Sequence, residues 1–356
     1  MRAWRERDPK EERDADKLAA LREAGIDLDP APSRDHDHGD GTTHNQGHDH
    51  GDGKPHDHAH PHRRSAPGEP PIIGIVGAGA VGSGLGLALT RAGWPVSAVA
   101  SRDPVRRERF RELVGGTRAF EEVTPMLDEV ELIILAVPDD AVEPLARSIR
   151  LYGGQALVHT SGALGAEVLE PAMAAGTQVG SFHPLVAFAD TDRAVEALHG
   201  ATIAVEGDDQ LVALLADMAA AIGAHAVRLA PGTKAAYHAA AVLAAGGFVA
   251  LLDAIVELGR VVGLDEAGSL AIYGPLVEQT LGNARALGIR SALTGPITRG
   301  DVGTLEAHLA ALRAHAPGVL PLYVAAAERE IVLAEDRGAL TPDVSRRLRT
   351  ALANTQ

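Results

Sequence analysis

Residues 71–102 read PIIGIVGAGAVGSGLGLALTRAGWPVSAVASR, and this stretch decides the fold. Its opening apolar run, Ile72-Ile73-Gly74-Ile75-Val76, is too short for a helix and rich in β-branched residues, as a buried parallel strand is. Gly77-Ala78-Gly79-Ala80-Val81-Gly82 follows, then a helical segment ending near Gly93, then a second apolar run from Val96 to Ala100. Strand, glycine turn, helix and strand within about 30 residues form the setting in which GxGxxG signals a dinucleotide. Gly77 allows the tight turn, and Gly79 lets the backbone at Ala80 and Val81 approach a pyrophosphate. Gly82 lets the helix pack closely on its strand, and the helix N-terminus offers free N–H groups. The competing reading is a glycine-rich turn that holds no ligand.

The end of the second strand bears on which dinucleotide is held. An NAD site carries an acid there for the ribose 2′-hydroxyl. Here the strand ends Ala100-Ser101-Arg102-Asp103, with Arg106 and Arg107 following. Ser101 and Arg102 suit a 2′-phosphate, since guanidinium is a forked and permanently charged donor. NADP(H) is therefore the expected cofactor. Asp103 in the acidic role, or Arg102 as a solvated loop charge, are the alternatives.

Beyond Arg102 a charged helix spans Pro104 to Leu113. The next buried strand, Glu131 to Val137, ends in Pro138-Asp139-Asp140, which puts Val137 and Pro138 beside the cofactor and an aspartate at the next helix cap. Strands at 156–160, 177–182, 201–205 and 226–230 alternate with helices, which predicts a doubly wound parallel sheet. Ligands sit beyond the carboxyl ends of such strands. Ser161 and His183 fall at two of those ends and are candidate catalytic residues, histidine being suited to proton transfer near neutral pH. His183 as a capped loop residue is the alternative. His159 falls within its strand and reads as an internal residue.

From Pro231 the pattern is helical throughout. Lys234 and His238 sit four apart, on one face of an alanine-rich helix continuing to about Val262. They are candidate catalytic residues facing a cleft; a solvated lysine and an internally bonded histidine are the alternative. Its apolar core, Ala239 to Leu252, is too short to cross a bilayer and is expected to be buried. A further helix covers 267–287. The polar loop Ser291–Asp301 contains Thr294 and Arg299, candidate substrate contacts, with Asp301 as a helix cap. This all-helical part reads as a substrate and homodimerisation domain.

Residues 1–68 differ in kind. The segment has no apolar stretch of the sort a signal peptide carries. Residues 35–62 hold nine of the 16 histidines, interleaved with Asp and Gly, a composition that predicts disorder. His36, His38, His48, His50, His56, His58, His60 and His62 can chelate transition metals weakly, since imidazole suits Zn²⁺, Ni²⁺ and Cu²⁺. The plainer reading is a solvated tail, and no structural metal site is expected. The domains are thus a tail (1–68), a dinucleotide-binding α/β domain (69–230) and a helical domain (231–356). A net charge of −15 argues against nucleic-acid binding. The absence of cysteine is compatible with a cytoplasmic protein, and the shortness of the longest apolar run, Ala239 to Leu252, predicts no membrane association.

The motifs GIVGAGAVGSGLG, AVPDDAV, HTSGALG, GSFHPLVAF, KAAYHAAAV and ALTGPITRGD, in that order, resemble the two-domain Rossmann-like plus DUF2520 family over roughly residues 70–354. That family belongs with the prephenate, ketopantoate and pyrroline-5-carboxylate dehydrogenases and reductases. The resemblance implies an NADP(H)-dependent oxidoreductase acting on a small carbonyl or imine acid, with ketopantoate one possibility. Likeness to the HPM segment of prephenate dehydrogenases adds weight to His183. The chain departs from hydroxyacid enzymes in having Lys234 then His238 where they have Lys then Asn. It has Gly246-Gly247 where many relatives have Asn. These departures leave open a second class of function, a non-catalytic NADP(H)-binding or sensing protein with an accessory metal-binding tail.

Overall fold

The computed structural model describes residues 65–66, 68–188 and 191–354. The histidine tract and nearly all of the tail lie outside the described residues. The chain forms two compact units, residues 1–241 and 242–356. The first unit therefore extends past residue 230, because the following helix begins with Lys234, a side chain held by the sheet.

In the first unit the order is β1 (Ile73–Val76), α1 (Ala80–Arg91), β2 (Val96–Ala100), α2 (Pro104–Leu113), β3 (Arg118–Phe120), α3 (Thr124–Leu127), β4 (Leu132–Leu135), α4 (Asp139–Ser148) and β5 (Ala156–His159). A 3-10 turn (Ala166–Ala172), β6 (Gln178–Pro184), α5 (Thr191–Leu198), β7 (Thr202–Glu206), α6 (Asp209–Ala221), β8 (His225–Arg228) and α7 (Lys234–Val242) follow. The eight strands form one sheet in the order β3-β2-β1-β4-β5-β6-β7-β8. One expectation needs correction: β6 and β7 are antiparallel, so the sheet is parallel on either side of that junction but not throughout. Strand β3, a short exposed edge, and the short helix α3 lack the long apolar runs that make strands and helices visible in sequence.

Both faces of the sheet are dry. One is covered by α1, α2 and α6, whose Leu85, Leu89, Phe110, Leu211 and Leu215 pack on Ile73, Ile75, Val99, Ile134 and Val205. The other packs Val76, Ala100, Ile133, Leu135 and Leu157 against Met126, Val142 and Leu169. Burial on both sides is why these strands read as unbroken apolar runs instead of alternating ones.

The second unit holds a π-turn (Leu243–Gly247), α8 (Phe248–Val261), α9 (Glu266–Leu287), α10 (Ile289–Ala292), a 3-10 turn (Ile297–Arg299), α11 (Val302–His315), α12 (Leu320–Asp336) and α13 (Pro342–Ala353). Its core joins Leu305, Leu309, Ile331, Leu348 and Leu352 of α11, α12 and α13. Asp301 caps α11 as expected, accepting bonds from the Thr304 amide at 3.0 Å and the Thr304 hydroxyl at 2.6 Å. Two differences stand out. The expected continuous helix is interrupted by the π-turn at Gly246-Gly247, where two residues of low helix propensity adjoin. The run 239–252 is helical, but none of its residues is buried, and Leu243 and Val249 are 73% and 63% exposed. The helical stretch Lys234–Val261, at 28 residues, is also long and apolar enough to cross a membrane by length and composition.

Candidate active site at the carboxyl edge of the sheet

The strand register lines up one row of residues across the sheet: Ala100, Val76, Leu135, His159, Ser181 and Glu206 are successive neighbours from β2 to β7. The first three are apolar and end their strands. The last three are polar and buried. Past this row β6 continues for three residues, paired with Val205, Ala204 and Ile203 of the antiparallel β7, and His183 lies there on the same face as Ser181.

At the apolar end of the row lies the glycine turn, and its three glycines have separate reasons. Gly77 has φ of +103°, and a Cβ there would sit 2.2 Å from the Ala136 carbonyl oxygen. A Cβ on Gly82 would sit 2.0 Å from the Gly77 carbonyl oxygen, so the helix packs as closely as the chain allows. Nothing lies within 4 Å of a Cβ on Gly79, so the space over this turn is open. Gly79 is the N-cap of α1, which has no side-chain cap and no acid in its first turn. Its N-terminal amides, at Ala80 and Val81, are thus available to an anion. Val137 packs beside Gly77, its Cγ1 within 3.2 Å of where a Cβ would be. The turn fits a pyrophosphate.

The second-strand end separates the alternatives there. Asp103 is the N-cap of α2: its Oδ1 accepts from the Val105 and Arg106 amides at 2.9 and 3.1 Å, and its Oδ2 lies 3.3 Å from the Arg106 guanidinium. That carboxylate is occupied by its own helix. Arg107 donates to the Ser101 carbonyl. Arg102 is exposed and makes no hydrogen bond or ion pair among the described residues. A free guanidinium beside the Ser101 hydroxyl is a donor set for a phosphate.

At the polar end, Lys234, the first residue of α7, is 3% exposed. Its Nζ donates to Glu206 Oε2 at 2.7 Å and to Ser181 Oγ, while Ser181 Oγ donates to the same Glu206 oxygen at 2.7 Å. The three groups close a buried triangle. Burial pushes the Lys234 ammonium down from its ordinary range, and the Glu206 carboxylate pushes it back up. The solvated-lysine alternative is therefore excluded by its burial.

His183 stands beside this triangle. Its ring meets those of Tyr237 and His238 edge-on, each with centroids 5.8 Å away. Gly162 forms the floor: a Cβ there would come within 2.4 Å of His238 Cδ2 and 2.7 Å of His183 Nε2. Two buried polar atoms in this cluster lack a hydrogen-bond partner among the described residues, His183 Nδ1 and the Tyr237 hydroxyl. Burial, then the Lys234 charge and His238, lower the His183 pKa to about 4. Burial raises that of Tyr237 to about 12.

His159 is fully buried. The Ser161 amide donates to its Nδ1 at 3.2 Å, so Nε2 carries the hydrogen and donates to the Gly165 carbonyl at 3.0 Å. Burial and Lys234 lower its pKa to about 4 as well. The internal role expected of it is the one observed. Ser161 Oγ accepts from the Ala163 and Leu164 amides at 3.1 and 3.0 Å, which shapes the turn carrying Gly162. Asp139 and Asp140 do not cap α4; Pro138 occupies the cap, and both acids lie in the first turn, where they complement the helix dipole. Thr294 and Arg299 belong to the helical unit, where both are exposed, Arg299 ending the 3-10 turn before Gly300.

Three members of the cluster, Glu206, Ser181 and Tyr237, were not candidates from sequence. Ser181 precedes His183 by two in a strand and so shares its face. Glu206 ends an otherwise apolar strand, Thr202-Ile203-Ala204-Val205. Both signals are visible once the strands are paired.

Comparison with known proteins bears on the fold. Residues 65–184 match the Rossmann-like domain, and residues 201–330 match the domain of unknown function DUF2520. No match is found among curated proteins. Several solved structures are similar. A candidate NADP oxidoreductase of Bacteroides fragilis is 22% identical, with a TM-score of 0.60 over 74% of this chain and 98% of that one. A reductive aminase from Aspergillus terreus, in complex with NADPH4, cyclohexanone and allyl amine, is 18% identical, with a TM-score of 0.57 over 79% and 99%. The 1-pyrroline-5-carboxylate reductase of Streptococcus pyogenes is 17% identical, with a TM-score of 0.54 over 75% and 98%. The chain thus carries a Rossmann-like match followed by a DUF2520 match, the two-domain arrangement that its motifs resemble.

Proposed function

We propose that this protein is an NADP(H)-dependent oxidoreductase acting on a small carbonyl or imine acid. The observation that carries the reading is the single row at the carboxyl edge, with an open glycine turn at one end and a buried basic cluster at the other. The N-terminal amides of α1 bind the pyrophosphate, and Ser101 with Arg102 binds the 2′-phosphate. NADP(H), when bound, supplies or accepts a hydride, which is its own chemistry. The protein supplies the proton. His183 is neutral at pH 7, so on oxidation it takes the proton from a substrate oxygen or nitrogen, and on reduction it delivers a proton that it first takes up from solvent. A substrate carboxylate next to Lys234 and His183 would favour the charged imidazole and so couple binding to proton uptake. The presence of reductases of pyrroline-5-carboxylate and of amine formation among the structural neighbours supports the class of reaction through shared fold alone.

The helical unit is proposed to pair with a second copy. On α8 and α9, Val249, Ile272, Leu276, Leu281 and Leu287 are each more than half exposed, while Asp253, Glu257, Arg260, Glu278 and Arg285 recur among them. Charges interleaved at this density suit a protein interface with a polar rim better than a bilayer.

The test is NADPH oxidation against a panel of 2-keto acids and cyclic imines that includes ketopantoate and pyrroline-5-carboxylate. Turnover of at least one compound is expected, with a loss of about 100-fold in His183→Ala. NADPH binding without turnover across the panel would instead support a non-catalytic sensing protein.

A further inference from the structure

A lysine at the first position of a helix is in the wrong place twice. The positive end of the helix dipole opposes its charge, and burial strips its hydration. Lys234 sits there at 3% exposure, and its helix has no acid in the first turn to offset either cost. A buried ion pair of this kind is seldom a source of net stability, since an apolar replacement of similar shape commonly serves as well or better. Its partners come from two different strands, Ser181 of β6 and Glu206 of β7, which the antiparallel junction sets opposite each other. The ammonium is held by two bonds, to Ser181 Oγ and Glu206 Oε2, and these two groups are bonded to each other. Directly along β6 from Ser181 comes His183, on the same face.

We propose that the Lys234–Glu206–Ser181 triangle is a positioning device for His183: it fixes a cation beside the imidazole and leaves proton transfer to His183, with Lys234 transferring none. The proposal rests on the catalytic reading of His183 given above. The charged and titratable groups around the imidazole are Lys234, His238 and Tyr237 from α7, His159 from β5, Glu206 from β7 and Asp139 from α4. Three of these are basic and one of them, Lys234, is pinned. Lys234 acts most strongly of the charges, and Asp139 opposes it. The consequence is an imidazole that stays unprotonated through the neutral range; its buried Nδ1 has no hydrogen-bond partner among the described residues.

The test is a titration of the full chain labelled with 15N-histidine and followed by NMR, with the His183 resonance assigned by its loss in His183→Gln. In the unaltered chain a midpoint of about 4 is expected. In Lys234→Met it rises by about one to three pH units, the range a like charge at close approach controls. That variant leaves the Glu206 carboxylate buried with Ser181 but no counter-charge and can unfold, so Lys234→Met with Glu206→Gln, which removes both charges and keeps the shape, is measured alongside. A rise in the folded double variant supports the proposal; an unchanged midpoint makes the triangle a mere clamp and overturns it. Turnover of the panel compound by the double variant, with its pH profile displaced in the same direction, is expected. Complete loss of turnover while His183 still titrates would make Lys234 the proton donor and would also overturn it. NADPH binding is followed on the same samples, so that failure of the cofactor reading shows separately from the titration.

Discussion

The two units of this chain solve the burial problem differently. The α/β unit buries both faces of its sheet within itself, down to Ile73, Ile75, Leu132, Ile133 and Leu135 at 0% exposure. The helical unit does so mainly for α11, α12 and α13; α8 adds Ala254 and Val256, while many other apolar side chains of α8 and α9 are exposed. Composition does not separate the two cases, since both contain long apolar runs. What separates them is whether neighbouring elements in the same unit supply a covering surface. A helix rich in leucine and valine but exposed is a surface waiting for a partner.

This difference can be broken most forcefully in the glycine turn. Gly82→Ala drives a methyl into the Gly77 carbonyl, a backbone collision that nothing flexible can relieve. It should cost about 2–4 kcal/mol of stability in chemical denaturation. Gly79→Ala meets open space, so it should leave stability within about 0.5–1 kcal/mol while weakening NADPH binding. Equal stability loss in both would mean that the turn is built for packing alone.

Acid should act next. Burial holds the His159 and His183 pKa values down at about 4 in the folded chain, against 6.5 when free. Between those values the unfolded state binds more protons, so stability is complete above about pH 6.5 and falls as pH drops toward 4. The loss is on the order of a few kcal/mol, and His183→Gln should flatten part of it. A stability flat from pH 7 to 4 would contradict the burial of these two rings.

The helical unit gives the opposite outcome to a core lesion. Ile272→Glu with Leu276→Glu lies on the exposed face of α9, so the monomer should keep its fold while self-association, measured by analytical ultracentrifugation, weakens by about 100-fold. The same change at Ile133 should prevent folding. A chain that is monomeric before mutation would remove the second copy as the occupant of this face. Partition into vesicles would replace it with a membrane.

The sequence made the α/β unit legible because each buried strand is a short apolar run closed by a turn residue. Strands β2 and β4 to β8 fall within a few residues of where the pattern put them. The direction of β7 was not legible, since an antiparallel neighbour has the same composition as a parallel one; only pairing reveals it. The same blindness hid the triangle. Ser181, Glu206 and Lys234 are 25, 28 and 53 residues apart in pairs, and no local pattern links them. The glycines, Ser101 and Arg102 were legible because their chemistry is local. The exposure of 239–252 was not, since an apolar helix reads alike whether its own unit or another molecule covers it.

The account rests on what the first unit holds, and cofactor titration tests this most directly. NADPH and NADH are titrated into the unaltered chain and into Arg102→Ala, with binding read by cofactor fluorescence. NADPH should bind at least about tenfold more tightly than NADH in the unaltered chain, and Arg102→Ala should erase most of that margin without weakening NADH. Equal affinity for the two cofactors in the unaltered chain would contradict the assignment of Ser101 and Arg102.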